Sequence, residues 1–106
     1  MLDHLFSMAG KVCVVTGGSR GLGLHMAKGF LQAGAERVYI TARKAEACQA
    51  AAAELSQYGN CVALPGDISS LEEIEKLVAE LSSRESRIDV LVNNAGSSWA
   101  AAYTKF

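Results

Sequence analysis

The stretch Thr16-Gly17-Gly18-Ser19-Arg20-Gly21-Leu22-Gly23 limits what this chain can fold into more than any other. An apolar run, Val12 to Val15, precedes it, and a helical pattern opens at its end. Strand, glycine turn and helix in that order make a place for a phosphate. Glycines accept positive φ and let the backbone come close to a ligand. The unpaired N–H groups and positive dipole end of the following helix then attract the anion. With Gly17, Gly21 and Gly23 the spacing is G-x-x-x-G-x-G. That differs from the common G-x-G-x-x-G dinucleotide fingerprint. With no Gly-Lys-Ser/Thr following, it differs from a P-loop as well. Alone, such a turn reads equally as a tight strand-to-helix connection, so the rest of the chain has to decide.

The remaining pattern alternates apolar strands with amphipathic helices. Strand one is read as Lys11 to Thr16, and a helix from Gly21 to Ala33 carries Leu22, Met26, Phe30 and Leu31 on one face. Gly34 stands where a helix stop belongs. Strand two, Arg37 to Thr41, is rich in β-branched and aromatic residues. A second helix, Lys44 to Gln57, turns Cys48, Ala51, Ala52 and Leu55 inward. Strand three is Cys61 to Leu64. Ser69-x-x-Glu72 and Ser70-x-x-Glu73 are alternative capping boxes for a third helix bearing Leu71, Ile74, Leu77, Val78 and Leu81. Strand four, Ile88 to Val92, runs into Asn93-Asn94-Ala95-Gly96. This alternation predicts an α/β fold, a doubly wound parallel (Rossmann) sheet of four strands ordered 3-2-1-4. Ligands of such sheets bind beyond the carboxyl ends of the strands. Gly17, Arg43, Asp67 and Asn93 each follow one of those ends, a convergence that packing does not require.

Composition excludes several classes. The chain has 106 residues, one domain's worth, with a formal net charge of -1 and no basic cluster to engage nucleic acid. Cys13, Cys48 and Cys61 are odd in number, widely spaced and set among apolar neighbours, which suits buried free thiols in a reducing compartment. The first eight residues carry Asp3 and interrupted apolar positions, unlike a signal peptide. No apolar run reaches membrane-spanning length. The expected setting is cytoplasmic.

Thr16-Gly17-x-x-x-Gly21-x-Gly23, Gly66-Asp67-Ile68 and Asn93-Asn94-Ala95-Gly96 together resemble the short-chain dehydrogenase/reductase family, in register over nearly the whole chain. The resemblance implies that Gly17, Ser19, Arg20, Gly21, Leu22 and Gly23 line the pyrophosphate and ribose of a nicotinamide dinucleotide. It also implies that Asp67 and Ile68 flank the adenine, and that Asn93, Ala95 and Gly96 lie beside the cofactor. Apart from the resemblance, Asp67 serves as a turn and cap residue, and Asn93 and Asn94 as strand-end hydrogen-bonders. His25 and His4 lack a metal partner and read as surface residues.

Arg43 selects the cofactor. Enzymes preferring NAD usually place an acid near the end of strand two, to accept from the ribose 2′-hydroxyl. Here the region reads Thr41-Ala42-Arg43-Lys44. A guanidinium grips a 2′-phosphate with paired charge-assisted hydrogen bonds. The expected cofactor is therefore NADP(H), with Arg20 as a second partner. Against this stands the plain reading of Arg43 as a solvated cation at a helix start, where cations are mildly disfavoured.

Members of the family reduce a carbonyl with a tyrosine as proton donor and a lysine four residues later. A free phenol titrates near pH 10 and needs such a cation. No such pair occurs. Tyr103 has Lys105 only two residues on, Tyr58 has Val62, and Tyr39-x-x-x-Arg43 lies in a strand, where the two side chains stand far apart. Trp99, Ala100, Ala101, Ala102, Tyr103 and Phe106 suggest the start of another helix, and Trp99 after the Asn-Asn-Ala-Gly motif is weakly similar to 3-oxoacyl-carrier-protein reductases. The expectation is the NADP-binding N-terminal part, residues 1–106, of a carbonyl reductase acting on a small molecule, whose longer form oligomerises. The alternative is a non-catalytic nucleotide-binding module. A methyl-donor-dependent transferase is disfavoured, because it too would want an acid where Arg43 stands. Alone, the chain is expected to be poorly soluble and to bind NADPH weakly.

Overall fold

In a computed structural model the chain is described over residues 7–94, so that Ala95, Gly96 and the Trp99–Phe106 stretch lie outside the described residues. Four strands and three helices alternate: β1 (Val12–Thr16), α1 (Gly21–Gln32), β2 (Arg37–Thr41), α2 (Ala45–Leu55), β3 (Cys61–Ala63), α3 (Leu71–Arg84) and β4 (Val90–Asn93). The sheet is parallel and ordered β3-β2-β1-β4, as the alternation predicts. Its centre is β1, all five residues of which are buried. A strand covered on both faces has to be apolar throughout, which is why Val12-Cys13-Val14-Val15 is unbroken.

Period-two alternation divides the core. Cys13, Val15, Val38, Ile40 and Cys61 face α1 and α2, where Ala27, Leu31, Cys48, Ala51, Ala52 and Leu55 meet them. Val12, Val14 and Tyr39 point the opposite way, with Leu64, toward Leu77 and Leu81 of α3. The predicted inward set of α2 is the buried set. For α1 the structure differs: Gly23, Ala27 and Leu31 are the buried residues, whereas Leu22 is 66% exposed and Met26 and Phe30 are half-buried. Of the predicted face only Leu31 is buried; a helix lying close over a strand otherwise buries its small residues, here Gly23 and Ala27.

Helix and strand ends follow local chemistry. Gly34, at φ 96°, closes α1: its N–H donates to Leu31 O and that of Ala35 to Phe30 O, a complete Schellman motif. Of the two capping boxes, Ser70 is the residue used, its hydroxyl accepting from Glu73 N. Strand β4 starts at Val90 rather than Ile88, because Asp89 turns its carboxylate onto the Val12 N–H at 2.8 Å and Ile88 is left outside the ladder. All three cysteines are free and buried. Burial raises each thiol above its ordinary pKa, Cys61 to about 11 with the neighbouring Cys48 adding to the effect, so they persist as packed, protonated side chains.

Candidate functional site

Register brings the carboxyl ends of the strands level. Thr16 pairs with Thr41 on one side and Asn93 on the other, and Ile40 pairs with Ala63. Between β1 and β4 the connections leave in opposite directions, α1 to one face and α3 to the other. A doubly wound sheet takes its ligand at such a switch point, and the glycine turn lies there.

Two glycines take the backbone where other residues would be strained, Gly17 at φ 66° and Gly21 at φ 59°. Two more are required by contact. A Cβ on Gly23 would fall 2.2 Å from Gly17 O and 2.7 Å from Asn94 Nδ2, and one on Gly18 would fall 2.7 Å from Ile40 Cγ2. Gly23 thus lets α1 start directly against the turn, while Gly18, which the spacing does not single out, seats the turn on β2. At Gly21 no other part of the described residues lies within 4 Å of the Cβ position. The helix start carries no side-chain cap and no acid in its first turn. By contrast, α3 has both. Among the described residues the first N–H groups of α1 are therefore left for a ligand or water, with Arg20 and Leu22 exposed and Ser19 half-buried around them.

Thr16 fastens this mouth. Its hydroxyl oxygen accepts from Asn94 N at 2.7 Å, and the hydroxyl faces Val92 O at 3.2 Å and Asn93 Oδ1 at 3.1 Å. At the other end of the same strand pair Asp89 holds Val12 N and the Arg87 guanidinium, and Arg87 also donates to Gly10 O. The Val12 hydrogen bond, followed by Arg87, holds the Asp89 carboxyl below its ordinary pKa. A four-residue strand is in this way clamped at both ends.

Farther along the sheet edge come Arg43 and Asp67. Arg43 is exposed and makes no ion pair or hydrogen bond among the described residues. Asp67 is held in an Asx turn, its Oδ1 accepting from Ser69 N at 2.9 Å and Ser69 Oγ at 2.7 Å. Those two hydrogen bonds, with the field of Arg43 as a smaller contribution, lower its pKa and keep it ionised. Ile68 beside it is half-buried. The two loops are joined by Gly66 N donating to Ala42 O at 3.0 Å. His25 lies on the exposed side of α1.

Neither described tyrosine is placed for proton transfer. Tyr39 is buried and donates to Glu85 Oε2 at 2.5 Å, and Arg37 pairs with the same carboxylate, its second contact at 2.9 Å. Burial and that donation raise the Tyr39 phenol above its ordinary pKa, and the Arg37 and Tyr39 hydrogen bonds pull Glu85 down to about 2. This triad spans 46–48 positions of sequence and carries no local signal. Tyr58 lies under the Lys28 ammonium, 4.8 Å from the ring centre.

A parallel sheet ordered β3-β2-β1-β4, helices on both of its faces and an uncapped glycine turn at the switch point define a Rossmann-type nucleotide-binding sheet. The chain belongs to the short-chain dehydrogenase family, whose pattern it matches over residues 11–106. It is 52% identical over 101 residues to a rhamnolipids biosynthesis 3-oxoacyl-[acyl-carrier-protein] reductase of Pseudomonas aeruginosa, covering 95% of this chain and 39% of that protein. Mouse L-fucose dehydrogenase is 41% identical over 88 residues, covering 83% and 31%. Among solved structures, the Pseudomonas aeruginosa RhlG/NADP active-site complex superposes with a TM-score of 0.83 at 49% identity, over 94% of this chain and 40% of that one. L-Sorbose reductase of Gluconobacter frateurii, complexed with NADPH and L-sorbose, gives 0.81 at 33% identity, over 87% and 35%. The chain thus spans well under half the length of these relatives.

Proposed function

We propose that residues 1–106 form the NADP(H)-holding part of a short-chain carbonyl reductase. In this reading the pyrophosphate sits on the start of α1 over Gly17, Ser19, Arg20, Gly21, Leu22 and Gly23, and Arg43 takes the 2′-phosphate with Arg20 beside it. Asp67 and Ile68 border the adenine, and Asn93, with Ala95 and Gly96 following, borders the ribose. The observation that carries it is the uncapped, acid-free start of α1 at the strand switch point, with a guanidinium, unpaired among the described residues, rather than a carboxylate after β2. An acid there would repel a doubly charged phosphate; a guanidinium binds it bidentately. The similar structures that are complexes with NADP and with NADPH support the same cofactor. A bound nicotinamide would supply the hydride that reduces a carbonyl carbon. The similarity to a 3-oxoacyl-carrier-protein reductase supports a 3-oxoacyl-like ketone as substrate.

The test is a titration of the chain with NADPH and with NADH, followed by nicotinamide fluorescence or calorimetry. Arg43→Asp should raise the Kd for NADPH at least about tenfold, the scale of a lost charge-assisted pair, and that for NADH far less. Equal losses for the two would overturn the assignment. A second reading, a module that holds the nucleotide without catalysis, is favoured by the commitment of Tyr39 and Tyr58 to packing. It is distinguished by whether NADPH is consumed in the presence of a 3-oxo thioester or simple ketone.

A further inference from the structure

The first turn of α3 departs from an ordinary capping box. In that arrangement the glutamate at the third helical position reaches back to the N–H of the capping residue. Here Ser70 N donates instead to Asp67 O at 3.1 Å, and Glu73 Oε1 reaches three residues farther, to Asp67 N at 3.2 Å. Glu73 is therefore spent on the loop rather than on the helix. Together with Ser69 it leaves Asp67 with its N–H, its C=O and one carboxylate oxygen all engaged inside the turn. Only Oδ2 has no partner among the described residues. Gly66, whose Cβ position lies 3.7 Å from Glu73 Oε1, carries the constraint to Ala42 O, beside Arg43.

We propose that Glu73 is a positioning residue of the cofactor site: by holding the Asp67 amide it fixes the direction in which the free Asp67 oxygen faces the nucleotide. This rests on the functional reading above, which places Asp67 at the adenine. Glu73 does not itself contact the cofactor. Its effect falls on the part shared by NADPH and NADH, so it changes affinity for both and leaves their ratio alone. In this it differs from Arg43, which sets the ratio.

Glu73→Ala should weaken NADPH and NADH binding by a similar factor, about fivefold, the scale of one ordinary hydrogen bond in net terms. Glu73→Gln keeps an acceptor oxygen and should restore affinity to within about twofold. Ser70→Ala removes the cap of the same helix without touching the Asp67 amide, so it should lower the melting temperature while leaving both affinities unchanged. The assignment is overturned if Glu73→Ala binds NADPH normally, if Gln fails to rescue, or if Ser70→Ala weakens binding as much as Glu73→Ala. Absence of any NADPH binding by the unsubstituted chain would overturn the functional reading and this assignment with it. Normal binding lost only in Glu73→Gln and Glu73→Ala alike would sink the positioning role and leave the functional reading standing.

Discussion

Glycines 21 and 23 occupy neighbouring places in one turn for different physical reasons, and substitution separates them. Gly21 needs its residue type for backbone conformation, φ 59°, with no contact at its Cβ position among the described residues. Gly23 needs it for contact, since a Cβ would lie 2.2 Å from backbone oxygen that has no rotamer with which to yield. Gly21→Ala should cost about 1 kcal/mol, the penalty for an L-residue in the left-handed region. Gly23→Ala should cost about 3 kcal/mol, the upper range of overpacking, because α1 must back away from β1. Urea unfolding of the two variants measures this, and equal losses would remove the distinction. The spacing of these glycines was legible in the sequence because a strand-to-helix turn imposes it locally. Roles that depend on distant partners were not: Thr16 holding the Asn93–Asn94 corner, Gly18 against Ile40, and Arg37 with Tyr39 on Glu85 all join segments that only the fold makes neighbours.

The order of elements could be read from alternating periodicities, and their ends to within a few residues, because caps and glycine stops are local chemistry. The inward face of α1 could not be read the same way. Hydrophobic periodicity identifies which residues are apolar, while depth against a sheet is decided by how closely two backbones approach, and here the small residues Gly23 and Ala27 win. A further glycine on that helix has no such contact. Gly29 is exposed, and nothing among the described residues lies within 4 Å of its Cβ position. Its helical conformation suits any L-residue, so alanine there should remove the backbone-entropy cost of glycine and stabilise the chain by about 0.5–1 kcal/mol. A higher melting temperature with unchanged NADPH affinity is the expected result. Destabilisation would mean that this surface carries a contact the described residues lack.

For the molecule as a whole, the two faces of the sheet are unequally held. The face under α1 and α2 carries the larger core, whereas α3 has no buried residue at all and shows Leu71 at 72% and Val78 at 54% exposure, with Leu91 of β4 at 67%. What fixes α3 is therefore less its apolar stripe than its end, where Glu85 follows the helix and binds Arg37 and Tyr39 of β2. That carboxylate titrates at about 2 in the folded chain against an ordinary value of 4.5. Because the folded value is the lower, the unfolded chain binds the proton first, and the contribution is complete above pH 4.5 and lost as pH falls toward 2. Asp67 and Asp89, both also shifted down, add in the same direction. Acid should accordingly release α3 before it disrupts β1 and its two helices, seen as amide exchange rising first in residues 71–85. Glu85→Gln should lower stability at neutral pH and flatten the loss between pH 4.5 and 2, since the substituted amide has no proton to gain. An acid profile as steep as that of the unsubstituted chain would place the sensitivity elsewhere. The helix that covers the sheet least is then also the one whose attachment depends most on a single charge.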